Sequence, residues 1–111
     1  MSIFKVIKQE LFIKASKKLS KKYKNINSDV DDFLNNINSK NDLGVELKQN
    51  IFKARIANSD KNKGKSAGYR LISYLKIVNS EIHLLYIYDK SQLENLTENQ
   101  IDDIVLTQLE D

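Results

Sequence analysis

The stretch YRLISYLKIVNSEIHLLYIY, Tyr69 to Tyr88, decides how this chain folds. Tyr69–Val78 and Glu81–Tyr88 are both rich in aromatic, β-branched and leucine side chains, and only Asn79-Ser80 lies between them. Two such runs around a short polar break read as the arms of a tight β-hairpin. Upstream, Ile51 to Ala57 alternates, with Phe52, Ala54 and Ile56 on one side and Lys53 and Arg55 on the other. Side chains along a strand point to opposite faces in turn, so this is a third strand with one apolar and one basic face. Ile3 to Ile7 alternates too and reads as a short first strand.

The remaining pattern is helical. From Leu11 to Tyr23, Leu11, Ala15 and Leu19 recur every fourth residue, and Lys14, Lys17, Lys18, Lys21 and Lys22 fill the other faces. A second helix is expected after a cap at Asn27 or Ser28, with Val30, Phe33, Leu34 and Ile37 as its apolar stripe. Asp29, Asp31 and Asp32 then fall in its first turn, where carboxylates suit the helix dipole. Residues 38–50 are polar, with Gly44 as a turn residue. A last helix starts near Glu98, where Thr97 and Gln100 form a capping box and Ile101, Ile104, Val105 and Leu109 form the stripe. The order β-α-α-β-β-β-α predicts an α+β fold: an antiparallel sheet with the helices on one face and the other face open. Residues 1–111 make one domain of ordinary size.

Charge is unevenly spread. Lys5 to Lys24 holds eight lysines and one acid, Glu10; Lys53 to Lys76 holds seven basic residues and one acid, Asp60. Ser91 to Asp111 holds six acids and no base. Two basic zones beside an acidic tail point to a polyanion-binding surface with a separate acidic face. No cysteine is present, which excludes disulfides and thiolate metal sites and suits a reducing cytoplasm. No apolar run approaches membrane-spanning length, and the N-terminus lacks the apolar core of a secretion signal.

The strand parities concentrate the charge. Lys53 and Arg55 share a face; Arg70 shares one with Ile72 and Tyr74; Tyr86, Tyr88 and Lys90 share one. If these faces coincide, one patch gathers four cations and several tyrosines. Cations hold phosphates and tyrosine rings stack on bases, the chemistry of RNA recognition. Lys61, Lys63 and Lys65 in the loop 58–68 would extend the patch, with Tyr74 and Tyr86 offering ring faces. Each piece also has a plainer reading, as solvent-facing cations, packed tyrosines and a solvated loop.

Phe52-Lys-Ala-Arg-Ile-Ala57, Lys63-Gly-Lys-Ser-Ala-Gly-Tyr-Arg-Leu-Ile72 and Leu84-Leu-Tyr-Ile-Tyr-Asp-Lys-Ser91 together resemble the signature of RelE/ParE superfamily toxins of the HigB-like kind. The block Gly64 to Arg70 is the most specific part, and Lys14 to Tyr23 and Asn95-Leu-Thr-Glu98 resemble the family's first helix and its lead into the last one. The resemblance implies the toxin of a type II toxin–antitoxin pair: a metal-independent endoribonuclease, without cofactor, that cuts messenger RNA on the translating ribosome and is neutralised by an antitoxin protein. It places the catalytic positions on Lys53, Arg55, Arg70 and Lys90. Some members add a tyrosine near the last helix. Here that stretch reads Leu93-Glu-Asn-Leu-Thr97, which leaves Tyr88 as the substitute.

RNA cleavage requires a proton to leave the 2′-oxygen, the phosphorane charge to be stabilised and a proton to reach the 5′-oxygen. Arg55 and Arg70 suit the charge; Lys53 can serve as base and Lys90 as acid if the neighbouring cations lower the lysine value from about 10.4 by roughly three units, and a weaker shift leaves Lys53 a charge stabiliser. The one histidine, His83, lies in an apolar strand, on the face of Leu85 and Ile87 by simple alternation, and reads as structural. Two rival functions share these residues: a gyrase-targeting ParE-like toxin and a non-catalytic RNA-binding module.

Overall fold

The computed structural model describes residues 4–61, 64, 67–92 and 96–109. The elements run β1 (Lys5–Lys8), α1 (Glu10–Ser20), α2 (Ile26–Asn35), a 3-10 turn (Lys40–Leu43), β2 (Val45–Lys48), β3 (Ile51–Ile56), β4 (Tyr69–Lys76), β5 (Glu81–Asp89) and α3 (Glu98–Leu109). The fold is α+β, built on one five-stranded sheet in the order β1-β5-β4-β3-β2. Ile3, the first residue of the expected opening strand, lies outside the described residues.

Three features depart from expectation. First, the sheet is mixed: β3, β4 and β5 are antiparallel neighbours, but β1 runs parallel to β5, with Lys5 opposite Glu81. The helical passage through α1 and α2 carries the chain away from β1, which is free to pair with a strand remote in sequence. Second, β2 is an added edge strand inside the polar stretch 38–50, antiparallel to β3 through a turn at Asn50, which takes the left-handed conformation (φ 64°). Third, the helices do not share one face.

Phe12 and Leu19 of α1 and Ile26, Val30 and Leu34 of α2 pack on Phe52, Ala54, Ile56, Leu71, Leu84 and Ile87. Ile101 and Ile104 of α3 pack instead on Ile51, Ile72, Leu85 and Tyr88, which point the other way. The cause is in the strands: Ile72 and Leu85 are wholly buried on that second face. Covering a side chain of this size contributes about 2 kcal/mol, so α3 closes over that half of the face. Lys48 ties β2 to α3 through Asp102 and, at 3.9 Å, Glu98. The capping box at the start of α3 is present, with Thr97 N donating to Gln100 Oε1 at 2.8 Å and Gln100 N to Thr97 Oγ1 at 3.1 Å.

Helix α2 starts at Ile26, one turn earlier than its aspartates suggest, with Asn25 preceding it. The Asn25 backbone N and Nδ2 both donate to Asp60, and Ser59 N donates to Asp29. Residues 59 and 60 of the loop after β3, though exposed, are thus tethered to the start of α2.

Gly44 is where β2 approaches β3. Its φ of 104° is a conformation that side chains avoid, and an added Cβ would stand 2.2 Å from the Lys53 carbonyl oxygen. Gly44→Ala is expected to cost about 2 kcal/mol and to loosen β2, because strain and overlap act together. A denaturant melt measures it; a midpoint equal to wild type would contradict the close approach.

Candidate functional site

The sheet register assembles the site. Arg55 stands opposite Arg70, and Arg70 opposite Tyr88, in one row across β3, β4 and β5. The next row is Lys53, Ile72 and Tyr86. Cross-strand partners lie on the same face, so the expected meeting of the three parities takes place. It does so despite a bulge between Ile72 and Ser73, which leaves Leu85 as the extra residue of β5. That bulge places His83 opposite Tyr74, with Ile87 on the other face opposite Leu71. His83 is a structural residue: its ring nitrogens bond Gln9 at 2.9 Å and Glu81 at 3.0 Å.

The four cations converge. Lys53, Arg55, Arg70 and Lys90 line one open groove of about 580 Å³, walled by Phe33, Gly44 and Val45. The half of the sheet face left uncovered by α3 is the half that carries them. Arg70 is only 5% exposed, and its Nη1 donates to the Tyr69 carbonyl at 3.1 Å. Burial, and after it the facing Arg55 guanidinium, lower the Arg70 pKa, while Tyr88 acts the other way. Arginine nevertheless stays protonated near neutrality, so a fixed, largely desolvated positive charge sits at the groove floor. Arg55 is exposed and Lys53 and Lys90 are half-buried. Lys90 is carried by the turn after β5, held by its backbone N donating to Gly68 O at 3.1 Å. Arg55 and Arg70 thus set two guanidiniums face to face across β3 and β4, and like charges directly opposed are a cost to a sheet.

Other expected residues are placed differently. Tyr88 is 4% exposed and its hydroxyl completes no hydrogen bond among the described residues. Burial raises its pKa, opposed by Arg70 and the nearby Leu96 main chain, so at neutral pH it is an un-ionised phenol suited to donate a hydrogen bond. Tyr86 stacks on Tyr88 with ring centroids 6.1 Å apart, and Tyr74 leans on His83 at 5.7 Å. Both are half-buried against the cluster under α3, so packing takes much of the ring surface expected to meet bases. Lys61 does not join a basic array in its loop. Its ammonium donates to Asp89 Oδ1 at 2.7 Å, Ala67 O at 3.0 Å and Ser91 Oγ at 3.1 Å. A lysine so held is a structural clamp. Lys63 and Lys65 lie outside the described residues.

Asp89, adjacent in sequence to the cations, points away from them into the core. Asp42 was overlooked by sequence reasoning; it lines the groove and accepts from Asn38 N at 2.9 Å and Ser39 N at 3.2 Å. Its place depends on the 3-10 turn leading into β2, which local periodicity does not reveal.

No protein-family model matches this chain, and no curated protein matches its sequence. Among solved structures it is similar to the E. coli toxin RelE, a double arginine-to-alanine mutant in the free state, at 13% identity and a TM-score of 0.53. The match covers 82% of this chain and 87% of that one. Over most of its length, then, the chain has a RelE-like fold.

Proposed function

We propose that this protein is the toxin of a type II toxin–antitoxin pair, of the HigB-like kind, acting in the cytoplasm as a ribosome-dependent mRNA endoribonuclease. One observation carries the reading: cations from β3, β4 and the turn after β5 meet in a single groove with two arginines face to face. The RelE-like fold and the sequence signature agree with it.

In this reading a phosphodiester lies between Arg55 and Arg70. The 2′-oxygen attacks the adjacent phosphorus, the bond to the 5′-oxygen breaks, and the products end in a cyclic phosphate and a 5′-hydroxyl. The guanidiniums hold the charge that grows on the non-bridging oxygens, for which a preorganised site is most effective. Lys53, as the free amine, takes the proton from the attacking oxygen, and Lys90, as the ammonium, delivers one to the leaving oxygen. Tyr88 positions Arg70 and the phosphate as a neutral donor. Among the described residues no three imidazoles or carboxylates gather to hold a metal ion, so the groove's charge is that of its side chains. The groove is open, and the ribosome supplies the alignment of the attacking oxygen that it lacks. An antitoxin with complementary acid would cover the cations.

Purified protein is expected to cut a message on translating ribosomes and to leave the same message, naked, almost intact. Arg55→Ala should slow the cut about tenfold or more, less than a buried donor would, because Arg55 is solvent-screened. Expression should arrest growth, with relief by the antitoxin encoded beside it. Arrest with intact messages and broken DNA would replace this reading with the gyrase-directed one.

A further inference from the structure

We propose that the cleft between α1 and the outer edge of β5 is a second RNA subsite, holding a single-stranded nucleotide next to the scissile phosphodiester. The proposal rests on the reading of the groove as an RNA-cleaving site. β1 pairs with β5 only from Glu81 to Leu84, so beyond that point the outer edge of β5 is left to α1. There the two elements enclose about 220 Å³, lined by Lys18, Lys22, Tyr86, Tyr88 and Gln92 among others. The space is below the roughly 300 Å³ at which drug-sized ligand pockets begin, and on the scale of one base.

The lining has the three components that single-stranded RNA needs. Lys18, in the last turn of α1, and Lys22, in the turn just after it, both line the cleft, and neither makes an ion pair among the described residues. Asp89, the one carboxylate of the lining, does not neutralise them, since Lys61, Tyr23 and Ser91 already occupy its oxygens. Tyr86 stacks on the buried Tyr88 with the rings inclined by 27°, and the part of the Tyr86 ring that packing leaves exposed is what a base can meet. The exposed Gln92 amide can both donate and accept at a base edge.

Position links this cleft to the groove. Tyr88 is the cross-strand partner of Arg70, so one side chain of the cleft adjoins the proposed phosphate site. An RNA strand crossing from β3 over the end of β5 to α1 would meet the cations of the groove first and the tyrosine pair next. The lysine-rich zone of α1, which the cleavage chemistry leaves unused, then acquires a role as the second phosphate contact.

The test is binding of a fluorescent single-stranded hexanucleotide, 2′-O-methylated to block cleavage, measured by anisotropy over a salt series. The double variant Lys18→Ala/Lys22→Ala is expected to weaken binding about tenfold and to flatten the slope of log affinity against log salt by about 1.4, near 0.7 for each lost phosphate contact. Tyr86→Leu should weaken it by about fivefold to a hundredfold, the range for a lost base stack. Unchanged affinity and slope in the double variant, with Arg55→Ala weakened, would overturn the subsite and leave the groove standing. The reverse pattern would keep the subsite and overturn the groove. Equal binding by all variants, or none by the wild type, would remove both.

Discussion

Arg70→Met is expected to slow cleavage of ribosome-bound message by about a hundredfold to a thousandfold, the loss seen when one preorganised donor to a developing oxyanion is removed. The same variant should stay folded and melt within a few degrees of wild type. Both results follow from where Arg70 stands. It is 5% exposed and opposite Arg55 on the neighbouring strand. Its Nη1 donates to the Tyr69 carbonyl, while burial and then Arg55 work against its charged form and Tyr88 acts the other way. Methionine fills a similar volume without charge, so no cavity is left behind. An arginine kept for packing would give the opposite pair of results, a lower melting temperature with intact cleavage. Arg70→Lys adds a check on geometry. It keeps the charge but not the planar fork, and should recover little of the rate.

Much of this site could be read from strand parity. Arg70, Ile72 and Tyr74 alternate correctly along β4, and Lys53 and Arg55 along β3, so their common face followed once the hairpin was recognised. Parity fails at a bulge. Leu85 is an extra residue, and it turns Ile87 to the face opposite His83, a shift that alternation alone cannot register. The parallel pairing of β1 leaves no local mark either, since its partner is more than seventy residues away. Residues Val45–Lys48 form only four residues of strand, too few for a periodic signal, and Gly44 before them reads as a plain turn. The position of α3 was partly legible: an open face would not carry Ile72 and Leu85, and those two are what α3 buries.

The loop residues were the harder case. Asp60 and Lys61 look like solvent-exposed charge in a polar stretch, yet both hold long-range partners, Asp60 while still exposed and Lys61 half-buried. Asp60 receives both donors of Asn25, and Lys61 reaches the carboxylate of Asp89. Sequence shows the charges but not the long-range partners, here 35 and 28 residues away, that turn a solvated residue into a tether.

The second large effect concerns stability. Asp89→Ala is expected to cost about 3–5 kcal/mol, the usual result of leaving one member of a buried ion pair without the other. Asp89 is 1% exposed and joins three segments: Tyr23 Oη donates to it at 2.8 Å from the end of α1, Lys61 Nζ at 2.7 Å from the loop, and Ser91 Oγ at 2.9 Å from the turn that carries Lys90. Burial alone would raise its carboxyl, but the bonds from Lys61, Tyr23 and Ser91 prevail and hold it at about 2, against an ordinary 3.8. A depressed folded-state value stabilises the native form fully above the unfolded one, and the contribution fades as pH falls through the folded one. The difference amounts to about 2 kcal/mol at neutral pH. Wild type should therefore lose that much between about pH 4 and 2, and Asp89→Asn should show a shallower fall over the same window because its side chain does not titrate. At neutral pH, Asp89→Ala should melt at least about 10 °C lower, a large share of the 5–15 kcal/mol that holds a domain of this size. Removing Lys61 as well, in Asp89→Ala/Lys61→Met, should recover part of the loss, since the stranded ammonium goes with it. Should Asp89→Ala melt within a degree or two of wild type, the ion pair would be a surface ornament, and the turn bearing Lys90 would owe its position to the sheet alone.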